Sequence, residues 1–196
     1  MGVTPEYPPG ATPLDPDEVV GLIPDHITTQ GQLNEWEQAN VLEGQRWALA
    51  SRNRENPLTE RFVRRLHAEM FGETWTWAGT FRTTEKNIGV DPSQIGVRLK
   101  DLLDDTQYWL KHGPYSLEES AVRFHHRLVS IHPFPNGNGR HARMLTDVIM
   151  IRSGRAPFSW GSANLVQTGK ARDDYLAALR RADENDIDPL VRFAGS

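Results

Sequence analysis

The sequence predicts an all-α fold, a helical bundle carrying one short β-hairpin. Two observations point to the bundle. Apolar residues recur at three- and four-residue spacing through most of the chain from residue 33 to residue 183, which is the period of one buried helix face. Pro, Gly and Asx clusters interrupt these runs at short intervals, as helix-to-helix connections do. A third observation points to the hairpin. At 85–92, E-K-N-I-G-V-D-P, a β-branched centre is broken by Gly89 and closed by Asp-Pro, a pattern that suits a short exposed turn of strand.

Residues 1–16 hold Pro5, Pro8, Pro9, Pro13 and Pro16 with Gly2 and Gly10. They read as a loose, polyproline-like arm ahead of a single domain over 17–196. Thr28 or Thr29 can cap the next element. From about 33 to 52, Leu33, Trp36, Ala39, Leu42, Trp47 and Leu49 suggest one or two amphipathic helices. Asn56, Pro57 and Thr59 break that pattern, and Phe62, Val63, Leu66, His67 and Met70 begin another helix. At 74–84, T-W-T-W-A-G-T-F-R-T-T is too rich in aromatic and Thr residues for a surface helix, and reads as a connector or short β element with Trp75, Trp77 and Phe81 in the core.

Helical spacing returns at 92–111 with Ile95, Leu99, Leu102, Leu103 and Leu110, ending at Gly113-Pro114. Ser116 with Glu119 three residues on forms the pattern of a capping box. The stripe Ala121, Val122, Phe124, Leu128 and Ile131 then delivers His132 at the helix end. The helix from Arg140 to Arg152 is apolar enough to sit centrally, and Ser153-Gly154 and Pro157 stop it. A last helix from about 170 to 183 leads into Pro189-Leu190-Val191-Arg192-Phe193, which docks the C-terminus.

At 196 residues the chain can bury a proper core without staples. With no cysteine there is neither a disulfide framework nor a thiolate nucleophile or metal ligand. A formal charge of -4 gives no basic field, so nucleic acid is not an expected partner. No signal peptide or membrane span is visible, and a soluble, cytoplasmic protein is expected.

The chemistry concentrates at 131–143, I-H-P-F-P-N-G-N-G-R-H-A-R. A histidine precedes a turn built from Pro133, Pro135, Asn136, Gly137, Asn138 and Gly139, and a helix begins where Arg140 and Arg143 stand three residues apart. Amides at a helix start lack intrahelical partners and favour anions. The two glycines supply the backbone freedom that such a nest needs. Each residue alone would pass for an ordinary turn or helix end. Together they read as a phosphate cradle with a base beside it.

The pattern H-x-F-x-N-G-N-G-R-x-x-R closely resembles the signature of the Fic (Fic/Doc) family, H-x-F-x-[D/E]-G-N-G-R-x-x-R, whose members transfer part of a nucleotide to a protein hydroxyl. Asn136 stands where the family usually has an acid. The segments G-A-T-P-L-D-P, L-N-E-W-E-Q-A-N, E-K-N-I-G-V-D-P and F-H-H-R-L-V-S-I-H-P-F-P-N-G-N-G-R-H-A-R are similar to the subgroup called mobile mystery protein B, in which asparagine at this position is usual.

The resemblance implies a Fic-type bundle that transfers AMP from ATP to a side-chain hydroxyl of a target protein. His132 would be the base, and Asn136, Gly137, Asn138, Gly139, Arg140 and Arg143 would hold the nucleotide. Mg²⁺ or Mn²⁺ would accompany ATP, with Asn136 as a weak neutral ligand in place of the family's carboxylate. A flap at about 84–92 would clamp the target by strand addition through Asn87, Ile88, Gly89 and Val90. An inhibitory helix at about 33–44 would place Glu43, from A-N-V-L-E-G, on Arg143, with Ala39 departing from the family's Ser/Thr. Glu43 can also be read as a solvated residue on a helix face. Gly139 favours AMP transfer over the phosphorylation carried out by Doc-type relatives, which have lysine there. Tyr175, Leu179 and Asp183 fall where similar proteins contact the nucleoside, although a Tyr and Leu at helical spacing also read as core.

The subgroup's association with mobile elements implies a companion DNA-binding protein. Two other readings stay open: a nucleotide-binding regulatory protein made weak or inactive by Asn136, and a Doc-like kinase. A metallohydrolase built on His125, His126, His132 and His141 is disfavoured, because no H-E-x-x-H is present and adjacent His125 and His126 leave a helix on different sides.

Overall fold

The computed structural model of the chain describes residues 13–50, 52–162, 165 and 169–196, so the expected arm lies outside the described residues as far as residue 12. Eight α-helices are seen among them: α1 (Pro16–Val19), α2 (Gln30–Leu49), α3 (Glu60–Phe71), α4 (Ile95–His112), α5 (Leu117–Ile131), α6 (Asn138–Arg152), α7 (Lys170–Asp183) and α8 (Asp188–Ala194).

Local chemistry accounts for the ends. Thr29 accepts from the Gln32 amide while the Gln32 side chain returns to the Thr29 amide, closing a capping box on α2. Thr59 and Ser116 cap α3 and α5 through the amides of Phe62 and Glu119. Glu119 does not complete the box at α5, since its carboxylate takes Arg123 at 2.8 Å instead. Gly113, at φ 64, ends α4 in the left-handed conformation that glycine adopts at least cost.

Helices α2 to α6 enclose the main core around Phe62, Phe71, Phe124, Phe134, Leu128 and Leu145. A smaller cluster joins α7 and α8 to α5 through Val122, Trp160, Tyr175, Ala178 and Leu190. The aromatic segment at 74–77 meets 21–23 in a single antiparallel bridge, Leu22 to Trp75, with Trp75 2% exposed. No described helix is long and apolar enough to cross a membrane.

The expected β-hairpin is not formed: residues 80–91 carry no strand. The physical reason lies in Arg82, whose guanidinium binds the carbonyls of Thr84 and Val90. Those are acceptors that a hairpin ladder would otherwise supply with cross-strand amides. From the other side, Lys86 reaches Asp15 at 2.8 Å and Glu18 at 2.5 Å, and Thr84 reaches Asp15 at 2.7 Å, tying the loop to α1.

Candidate active site

The loop between α5 and α6 carries the signature residues. Helix α5 ends on His132, which adopts φ 54 and ψ 60 and is 5% exposed. A left-handed non-glycine residue is strained, and it turns the chain sharply out of the helix. The His132 Nδ1 faces the Val129 carbonyl at 3.3 Å. The proton therefore sits on Nδ1 and the ring lone pair on Nε2. Burial lowers the pKa to about 4, so the imidazole is neutral at pH 7 and able to accept a proton.

The turn is tightly specified. Gly137 has φ 77, and a Cβ there would lie 2.7 Å from the Phe71 ring, so only glycine fits. Asn138 is 3% exposed, and its side chain accepts from the Phe134 amide at 2.9 Å and donates to the Phe134 carbonyl at 2.8 Å. The Asn138 amide group is thus engaged within the turn itself. Asn136 Oδ1 accepts from the Gly137 amide at 2.6 Å. The Asn136 carbonyl is held by His67 Nε2 at 3.0 Å, while His67 Nδ1 accepts from the Gly79 amide at 3.0 Å and the ring stacks on Phe134 at 3.8 Å. Burial pushes the pKa of His67 well below the ordinary histidine value, which suits this neutral double role. Helix α6 then starts at Asn138, and its first amides have no carbonyl one turn back to bond.

The two arginines go to different neighbours. Arg140 meets Glu37 at 2.7 Å and lies 4.8 Å from the Phe71 ring. Arg143 lies 5.5 Å from the Tyr175 ring and hydrogen-bonds its hydroxyl. An Arg143 Nη1 comes within 3.6 Å of where a Cβ at Gly139 would sit, so this guanidinium folds back over the helix start.

The expected contact between Glu43 and Arg143 is not present. Glu43 pairs with Arg46 one turn on, and its side chain is 67% exposed. The reason is helical phase. Leu33, Glu37, Asn40, Gly44 and Ala48 form the buried stripe of α2, and Glu43 lies about 100° from Gly44 around the axis. The carboxylate that enters the site is Glu37, 7% exposed, which also accepts from Trp75 Nε1 at 2.8 Å. Its periodicity with Leu33, Asn40 and Gly44 is the signal that could have identified it.

Of the flap residues, Asn87, Ile88 and Gly89 are exposed and Val90 half-buried. Tyr175 is 5% exposed and joins His125 at 2.9 Å, so it is a core residue bracing Arg143. Asp183 pairs with His126 at 2.8 Å, and Leu179 packs against the α7 and α8 cluster. His141 meets the Val63 carbonyl at 2.9 Å, so the four histidines each address a different partner. Among the described residues no cluster of three His, Asp or Glu could hold a metal.

The loop between α5 and α6 thus brings a neutral imidazole near a helix start that carries two arginines, on a helical bundle. The family model described as Fic/DOC family matches residues 57–150 of the chain. The protein adenylyltransferase fic-1 of Caenorhabditis elegans is 36% identical over 123 residues, which is 59% of this chain and 22% of that protein. The chain thus spans less than a third of the curated relatives that it matches. The solved structure of C. elegans Fic-1 gives a TM-score of 0.62 at 27% identity, covering 90% of this chain and 50% of that one. The N-terminal Fic domain of a Bartonella quintana protein, solved with bound ADP, gives 0.66 at 20% identity over 87% and 86%, and shows the shared fold.

Proposed function

We propose that this protein is a protein adenylyltransferase, moving AMP from ATP to a hydroxyl of a target protein. The observation that carries the reading is a neutral imidazole at the end of α5, one turn of chain from a helix start from which Arg140 and Arg143 project. The target oxygen forms a bond to the α-phosphorus of ATP as the bond to the bridging oxygen breaks. The hydroxyl proton passes to His132 Nε2, and pyrophosphate leaves with the bonding pair. Backbone N-H groups of 138–140 donate to phosphate oxygens, and the arginines take the β- and γ-phosphates in fork geometry. General base catalysis of this kind contributes about 10² to 10⁴ in rate. Mg²⁺ or Mn²⁺ would arrive bound to the nucleotide, with Asn136 as at most a weak ligand.

The exposed edge at Asn87, Ile88 and Gly89 is where we place the target's main chain. Resting activity is low on this reading, because Glu37 occupies Arg140 before ATP arrives. Autoinhibition is therefore assigned to Glu37 in place of Glu43. Similarity of the quoted segments to mobile mystery protein B supports that subgroup and a companion DNA-binding protein. The test is intact-mass analysis of a whole-cell lysate treated with ATP, Mg²⁺ and the protein. Targets gain one AMP with wild type and none with His132→Ala; equal labelling by the two would reject the assignment.

A further inference from the structure

One side chain holds the loop that covers the histidine. Arg82 is 3% exposed. Its Nε donates to the His132 carbonyl at 2.6 Å, Nη1 to the Thr84 carbonyl at 2.8 Å and Nη2 to the Val90 carbonyl. Two main-chain bonds run alongside, from the Arg82 amide to the Pro133 carbonyl at 2.9 Å and from the Val90 amide to the Ile131 carbonyl at 3.3 Å. A planar guanidinium can serve three acceptors in fixed directions, which a lysine ammonium on a flexible stem cannot reproduce. Gly89, at φ +121, lies directly on this assembly: a Cβ there would sit 2.5 Å from Arg82 Nη2 and 2.9 Å from the His132 Cβ.

We propose that Arg82 is a positioning residue for the transfer, bracing loop 84–90 at a fixed height over His132 so that a main chain docked along the loop brings its hydroxyl to the imidazole. This rests on the adenylyltransferase reading. Arg82 touches neither the nucleotide nor the reacting oxygen. It acts through the His132 carbonyl and the two arms of the loop, one of them leading into Asn87, Ile88 and Gly89. A displacement of about 1 Å between reacting groups costs up to about a hundredfold in rate, so the brace should show in turnover and not in ATP binding.

The test uses the full chain as wild type, Arg82→Lys and Gly89→Ala, the second displacing the loop from above with Arg82 intact. Hydrogen exchange is followed by mass spectrometry, ATP affinity by calorimetry, and transfer by α-labelled ATP with a whole-cell lysate as acceptor pool. Both variants are expected to keep α5 and α6 protected and to exchange faster over 84–92. Both should bind ATP within about twofold of wild type and transfer AMP at least about tenfold more slowly. Unchanged loop exchange, or a loss of ATP affinity in step with the rate, overturns the proposal. So does a faster transfer, which would make Arg82 a latch that keeps the base covered. A chain that transfers no AMP either as wild type or as Glu37→Gln sinks the adenylyltransferase reading and the reaction role with it. A wild type that transfers, matched by both variants, sinks only the brace.

Discussion

Glu37 and Arg140 form a largely buried pair at the start of α6. The carboxylate meets the guanidinium at 2.7 Å with side-chain exposures of 9% and 20%, so solvent screens the pair only in part. On the adenylyltransferase reading proposed above, ATP phosphates would compete with it for Arg140. Glu37→Gln removes the charge while an amide oxygen can still accept from Trp75 Nε1. It is expected to tighten ATP binding by about tenfold, the equivalent of about 1.4 kcal/mol, as measured by calorimetry on a His132→Ala background that prevents turnover. An unchanged Kd would mean that the pair does not restrain the site. The sequence resemblance placed this role on Glu43. What it could not convey was helical phase, which turns Glu43 outward to Arg46 and Glu37 inward.

The element that matters most is the turn entering α6. Gly137 and Gly139 look equivalent in the motif, yet their surroundings differ. At Gly137 a Cβ meets Phe71 at 2.7 Å with φ +77, whereas at Gly139 the nearest atom is an Arg143 Nη1 at 3.6 Å. Gly137→Ala should destabilise the protein by about 2 to 4 kcal/mol, combining left-handed strain with overpacking. Gly139→Ala should be near neutral, since alanine gains up to about 1 kcal/mol of helix propensity over glycine. Urea unfolding of the two variants checks this, and equal destabilisation would contradict the account. Most helix positions were legible because apolar spacing and side-chain caps act locally: Thr59 and Ser116 cap where their sequence context suggests. The loop at 84–92 was misread as a hairpin, because its β-branched centre is local information and Arg82's long-range hold on Thr84 and Val90 is not.

Across the whole molecule, the buried histidines impose a pH limit. Burial lowers His125 to about 3, His132 and His141 to about 4, and His67 well below the usual value. Unfolded histidines bind protons near pH 6.5, so as pH falls through that value the unfolded state takes up protons that the folded state refuses. Stability therefore drops with acidification between about pH 6.5 and 4. Asp147 works in the opposite sense: burial raises it to about 6 from 3.8, favouring the fold as pH falls through that window. One carboxyl set against four histidines leaves a net loss of stability as pH falls. Urea midpoints from pH 8 to 4 should stay level down to about 6.5 and then fall steeply; a flat profile to pH 4.5 would contradict the neutral, buried assignment.

At this scale the all-α class, most of the helices and the tight turn entering α6 were readable from the chain. The roles of Glu37, His67, Asn138 and Arg82 were not, because each depends on a partner that folding brings near. The most direct measurement of the central claim compares ATP labelled at the α-phosphate with ATP labelled at the γ-phosphate, each incubated with the Glu37→Gln protein and a whole-cell lysate. The account predicts label on protein from the α-position alone, lost in Glu37→Gln/His132→Ala. Label arriving from the γ-position, or persisting without His132, would contradict it.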